Sequence, residues 1–117
     1  FLAERFPRLH AQAELTELDA HTLMYFWPGS DPVLDPIVLL AHQDVVPVEG
    51  DTLERWDFPP FSGTIHDGYV YGRGALDMKG HLIALLSAVE ALMGETDIPE
   101  RGVIVALGGD EAVLRGG

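Results

Sequence analysis

The sequence predicts an α/β protein, a three-layer αβα arrangement around a mixed, mainly parallel sheet. Three observations predict it. The runs "IVLLAH" and "RGVIVALGG" hold continuous apolar stretches, the pattern of strands covered on both faces. A long amphipathic helix pattern lies between them, and a strand–helix–strand order of this kind joins a parallel pair through a crossover. Both apolar runs end in polar residues, at the position where open α/β sheets carry their sites.

Element by element, "FLAERFPRLH" has helix-like spacing of Leu2 and Phe6 and is expected to break at Pro7, as the tail of a helix begun upstream. "AELTELD" and "HTLMYFW" read as strands. In the second, Leu23, Tyr25 and Trp27 alternate with Thr22, Met24 and Phe26, and burial is expected to be extensive. "PGSDPVLDP", with three prolines, is a turn-rich connection. Residues 37–42 form the first buried strand. "VEGDTLERWDFPPFSG" is irregular. Thr64 to His66 and Tyr69 to Tyr71 form a hairpin around an Asp67-Gly68 turn. The helix spans Gly80 to Met93, with an apolar stripe of Leu82, Leu85, Leu86, Val89 and Leu92 or Met93, and Gly94 as its C-terminal cap. Residues 103–107 form the last strand.

A chain of 117 residues, 47% of them hydrophobic, suits one compact domain. Nineteen acidic residues against seven basic ones give a net charge of -12, which argues against nucleic acid and anionic membranes as partners. Acidic excess is compatible with cation binding, although a solvated charged surface is the better explanation of it. There is no cysteine, so disulfides and thiolate metal sites are excluded. No stretch reaches the ~18 apolar residues of a spanning helix. The first residue is Phe1 and the last three are "RGG"; both ends are expected to be cut. The compartment stays open on this ground, with the cytoplasm favoured.

Three polar clusters sit at strand ends. His42 and Asp44 follow the first buried strand, Asp77 lies in "GRGALDMKG" before the helix, and Asp110 and Glu111 follow the last strand. A lone histidine at a strand end is most often a core or capping residue. With Asp44 two residues on, a carboxylate can take the imidazole's other N–H and fix the tautomer a metal requires. Asp77 could merely cap the helix. Gly72, Gly74 and Gly80 around it imply tight turns that place it. Histidine plus carboxylates without cysteine suits zinc, manganese or cobalt, and a further carboxylate suits a general base on metal-activated water. His42, Asp77 and Glu111 are expected to converge within about 8 Å of a common point.

"LLAHQDVVPVEGDTLERWDFPPFSGTIHDGYVYGRGALDMKG" resembles the zinc-dependent aminoacylase and carboxypeptidase family, and within it the carboxypeptidase S and N-fatty-acyl-amino-acid hydrolase branch. "AHQDVVPV", "YGRGALDMKG" and the upstream "YFWPGSDP" carry the likeness, which extends over nearly the whole chain. The resemblance implies that residues 1–117 are the N-terminal part of a catalytic domain, without its C-terminal half and inserted lid domain. It implies that His42 ligates one zinc, Asp44 orients His42, Asp77 bridges two ions, and Glu111 is the general base. It also implies a cis peptide after Asp77. The substrate would be a small peptide or N-acyl amino acid, and the lid implies a homodimer as one assembly. Ala112 departs from the pattern, standing where a ligand glutamate belongs, and Arg115 is foreign to the glycines expected there. The expected function is therefore a metal-dependent amide hydrolase, the chain alone being inactive. The alternatives are an inactive homologue and, more remotely, a protein that shares only the fold.

Overall fold

The computed structural model describes residues 1–18, 20–96 and 98–110. Two short helices open the chain, α1 (Leu2–Arg5) and α2 (Pro7–Gln12). Pro7 starts α2 where the sequence reading had it ending a helix. The bend falls one residue earlier, at Phe6 (φ -124, ψ 65). Proline suits the first position of a helix, since its missing N–H would find no partner there and its φ is already helical.

The strands are β1 (Glu14–Glu17), β2 (Leu23–Trp27), β3 (Ile37–His42), β4 (Thr64–His66), β5 (Tyr69–Tyr71) and β6 (Val103–Gly108). A 3-10 turn spans Gly50–Arg55. A kinked wide turn spans Ala75–Gly80 and runs into α3 (His81–Glu95). β4 and β5 form the expected hairpin. Asp67 (φ 47) and Gly68 (φ 81) are both left-handed, the geometry whose twist matches paired strands.

The main sheet has the order β1-β2-β6-β3 and is mixed, as predicted. Its parallel share is smaller than expected. β3 and β6 are parallel, from Ile37↔Val103 to His42↔Gly108, with α3 as their crossover. β1 with β2 and β2 with β6 are antiparallel. The loop from β1 to β2 is too short for a parallel crossover, so that pair turns back on itself.

Leu82, Leu86, Val89 and Met93 of α3, with Phe6 and Leu9, are buried against Tyr25, Trp27, Ala41, Val105 and Leu107 of the sheet. Each such side chain stabilises by about 1.5–3 kcal/mol when fully buried. Met93, rather than Leu92, completes the stripe. α3 runs past Gly94 to an extended cap at Thr96, so Gly94 is not the cap. It leaves room for Arg8: a Cβ there would lie 3.4 Å from the Arg8 Cζ. Glu90 of α3 locks the two helices together, its carboxylate accepting the N–H groups of Arg8 and Leu9 at 2.9 Å each.

Val38 and Leu40 point to the other face of the sheet and are 53% and 67% exposed. The described residues thus bury one face of β3, not two, and supply two of the three predicted layers. A thickness of 20 Å agrees, since one helix of about 10–12 Å diameter on one sheet fills it. Among the described residues no helix is long and apolar enough to cross a membrane.

Candidate metal centre

Parallel pairing brings the C-terminal ends of β3 and β6 to one edge of the fold, and with them His42 and Asp110. A cleft there is bordered by Thr22, His42, Met78 and Asp110. The wide turn Ala75–Gly80 carries Asp77 to the same place. Its entry requires Gly74, which is left-handed (φ 81) and packed so closely on Val45 that a Cβ would collide with that side chain. The Lys79 N–H closes the turn on the Gly74 carbonyl at 2.9 Å, and the Lys79 ammonium donates to the carbonyl of Gln43, just past β3. The Asp77–Met78 peptide is cis, as the resemblance implies.

His42 lies between two acids. Its Nδ1 is 3.1 Å from the Asp44 carbonyl and 3.3 Å from Asp44 Oδ1; its Nε2 is 3.3 Å from Asp77 Oδ1. A carbonyl oxygen only accepts, so Nδ1 carries the proton and donates it to Asp44. In the neutral ring, Nε2 then turns its lone pair on a carboxylate oxygen. Two acceptors facing each other at this distance repel unless a proton or a cation lies with them. His42 and Asp44 are mostly buried, whereas the Asp77 side chain is 88% exposed. Neither the wide turn nor α3 has a side-chain cap, so Asp77 does not serve as one.

Of the sequence-predicted site residues, the structure brings His42, Asp44 and Asp77 together. Glu111, Ala112 and Arg115 lie outside the described residues. Among the described residues, no group of three or more histidine, aspartate and glutamate side chains could hold a metal ion. The donor chemistry of His42 and Asp77 fits a divalent cation, but a catalytic zinc takes three protein ligands. Sequence reasoning missed Met78, whose sulfur accepts the His42 main-chain N–H at 3.2 Å. Its place beside Asp77 in the motif was the available signal.

Residues 38–117 match the model of peptidase family M20/M25/M40. The chain belongs to this family. It is 43% identical over 113 residues to carboxypeptidase S of Saccharomyces cerevisiae, covering 95% of this chain and 20% of that protein. It is 51% identical over 85 residues to the N-fatty-acyl-amino acid synthase/hydrolase PM20D1 of Bos taurus, covering 73% of this chain and 16% of that one. The M20 family metallo-carboxypeptidase Sso-CP2 from Sulfolobus solfataricus superposes with a TM-score of 0.75 at 28% identity, over 96% of this chain and 25% of that chain. The chain spans about a fifth of the length of the curated relatives it matches. Membership bears out the resemblance read from "AHQDVVPV" and "YGRGALDMKG".

Proposed function

We propose that this chain carries the first part of a divalent-metal site, zinc in the first instance, of a hydrolase that cleaves the amide bond of a small peptide or an N-acyl amino acid. The observation that carries the reading is the His42–Asp77 pair, two metal-type donors 3.3 Å apart with the ring's other nitrogen held by Asp44. His42 Nε2 and the Asp77 carboxylate would hold the ion, and the resemblance gives Asp77 a share in a second one. When bound, the cation supplies Lewis acidity and lowers the pKa of attacking water.

The protein residues divide the remaining work. Asp44 keeps the His42 ring in one tautomer and one orientation. Met78 and Lys79 tie the turn that bears Asp77 to the end of β3, so the two donors are held at a fixed spacing. Glu111 takes the proton of the attacking water and returns it to the leaving nitrogen. Calorimetric titration of the chain with zinc, beside His42→Ala and Asp77→Asn, tests the reading. Heat of binding lost in both variants supports it, and zinc binding indifferent to both overturns it.

Ala112 favours a second reading, a homologue that binds metal poorly and does not turn over, because the resemblance expects a ligand glutamate there. Zinc titration separates the two: saturable binding that His42→Ala abolishes favours the first, and no measurable binding favours the second.

A further inference from the structure

β6 lies between β2 and β3 in the sheet. Leu23, which begins β2, pairs with Leu107, and His42, which ends β3, pairs with Gly108. The β1–β2 turn, closed by the Leu18 N–H on the Thr22 carbonyl at 3.0 Å, and Gln43 therefore stand on either side of the chain as it leaves β6. Gln43 makes three hydrogen bonds there. Its N–H donates to the Gly108 carbonyl at 2.8 Å, its carbonyl accepts the Lys79 ammonium, and its Nε2 donates to the His21 carbonyl at 2.9 Å. The first two use the main chain, and any residue but proline could make them. The third needs a donor on a long side chain, because strands two apart in a sheet are separated by roughly 9–10 Å. The carboxamide thus bridges β3 to the β1–β2 turn across the end of β6. Gly109 packs against the same His21, so closely that a Cβ would collide with the His21 carbonyl.

The bridged turn supplies one border of the cleft at His42 and Met78, Thr22, and the chain after Gly109 supplies another, Asp110. We infer that Gln43 is a positioning residue: its carboxamide holds the β1–β2 turn against Gly109, and so sets where Asp110, and the chain that runs on to Glu111, meets His42. The His42–Asp77 pair itself does not depend on the carboxamide. Its ties run through Asp44, the Met78 sulfur and the main-chain carbonyl of Gln43. Loss of the bridge therefore lets two borders of the cleft shift while the pair stays. A misplacement of about 1 Å at a reacting group is enough to cost about a hundredfold in rate. The inference rests on the proposed function for what the cleft does, and on the hydrogen bonds of Gln43 alone for the bridge.

The test is NMR of the isotope-labelled 117-residue chain, unmodified and as Gln43→Met, which keeps the length of the side chain and removes its donor. In the variant, nuclear Overhauser contacts between His21 and Gly109 should weaken several-fold. The amide signals of Thr22 and Asp110 should move, and those of Asp77 and Met78 should stay in place. With Mn2+ added as a probe, broadening of the Asp110 signal should fall several-fold relative to that of Asp77. Should Gln43→Met fail to fold, Gln43→Asn decides: it keeps the amide but is one methylene too short for the bridge, so the same changes are expected. Glu90→Ala, which loosens the packing of α2 away from the cleft, should produce none of them. Unchanged His21–Gly109 contacts in the deciding variant, an Asp110 signal that stays in place when those contacts are lost, or the same changes in Glu90→Ala overturns the inference. Any of these with Asp77 still broadened by Mn2+ sinks this inference alone. An Asp77 signal that Mn2+ leaves sharp in the unmodified chain sinks the metal reading alone, and the metal-free signals then decide the role of Gln43 by themselves.

Discussion

His42 is held on two sides, by Asp44 at Nδ1 and by the Met78 sulfur at the main-chain N–H, and faces Asp77 at Nε2. Removing Asp44 tests what that arrangement contributes. Asp44→Ala deletes a carboxylate oxygen 3.3 Å from Nδ1 but leaves the backbone carbonyl at 3.1 Å as acceptor. The loss in zinc affinity should therefore be about tenfold, the low end of the 10–100-fold that orienting partners contribute, as read by calorimetry. Tyr25 offers a second residue-scale test, away from the site. Its hydroxyl bonds His10 Nε2 at 3.1 Å, and burial raises its pKa above the ordinary 10.0. The folded chain then holds a proton that the unfolded chain releases more readily, so the contribution is complete below pH 10.0 and is lost as pH rises from there through the raised value. Urea midpoints measured from pH 8 upward, at about unit steps, should fall more steeply in the unmodified chain than in Tyr25→Phe. The His42–Asp44 pair was legible in the sequence because it is local. Met78 was not, because its contact joins residues 36 apart, and a thioether is only a weak acceptor.

The elements that carry the site are fixed by contacts that the hydrophobic pattern announces only in part. The α3 stripe was legible from its spacing, and four of its side chains are buried as that spacing requires. Pro7 and Gly94 were read by their commonest roles, as helix breaker and helix cap. Instead, one opens α2 and the other makes space for Arg8 between α2 and α3. Pro7's role is as local as the one it was read for, since a proline can begin a helix as well as break one, whereas Gly94's depends on the packing of two helices far apart in sequence, which local pattern does not encode. Glu90 is the polar part of that packing. Its carboxylate is 13% exposed and satisfies two N–H groups of the first turn of α2. Glu90→Ala should cost about 1–2 kcal/mol in urea denaturation, the size of a lost helix cap, with the far-ultraviolet spectrum largely retained. Glu90→Gln, which keeps one acceptor, should cost roughly half as much. An unchanged midpoint in both variants would mean that α2 docks on its apolar side alone.

At the scale of the whole molecule, a radius of gyration of 16.9 Å exceeds the roughly 13 Å of a compact chain of about 100 residues. The excess belongs to a slab with helices on one face, so the mixed sheet was legible while the predicted third layer has no counterpart among the described residues. The continuous apolar runs recorded faces suited to burial, and sequence alone could not say which elements would cover them. The same shortfall governs activity. The described residues bring two metal-type side-chain donors together, His42 and Asp77, where a catalytic zinc takes three protein ligands, and Ala112 stands where the family resemblance expects another carboxylate. Without a firmly held cation, attacking water keeps its ordinary acidity, and a carboxylate such as Glu111 is too weak a base to deprotonate it. The unmodified chain should therefore bind zinc on the order of micromolar or weaker and turn over no measurable N-acyl amino acid. Ala112→Glu should raise zinc affinity without producing turnover, because one added ligand supplies neither a second ion nor a closed, water-excluding site. Calorimetry with zinc beside a discontinuous assay on an N-acyl amino acid decides it. Stoichiometric submicromolar binding with turnover by the unmodified chain would show that residues other than His42 and Asp77 complete the site.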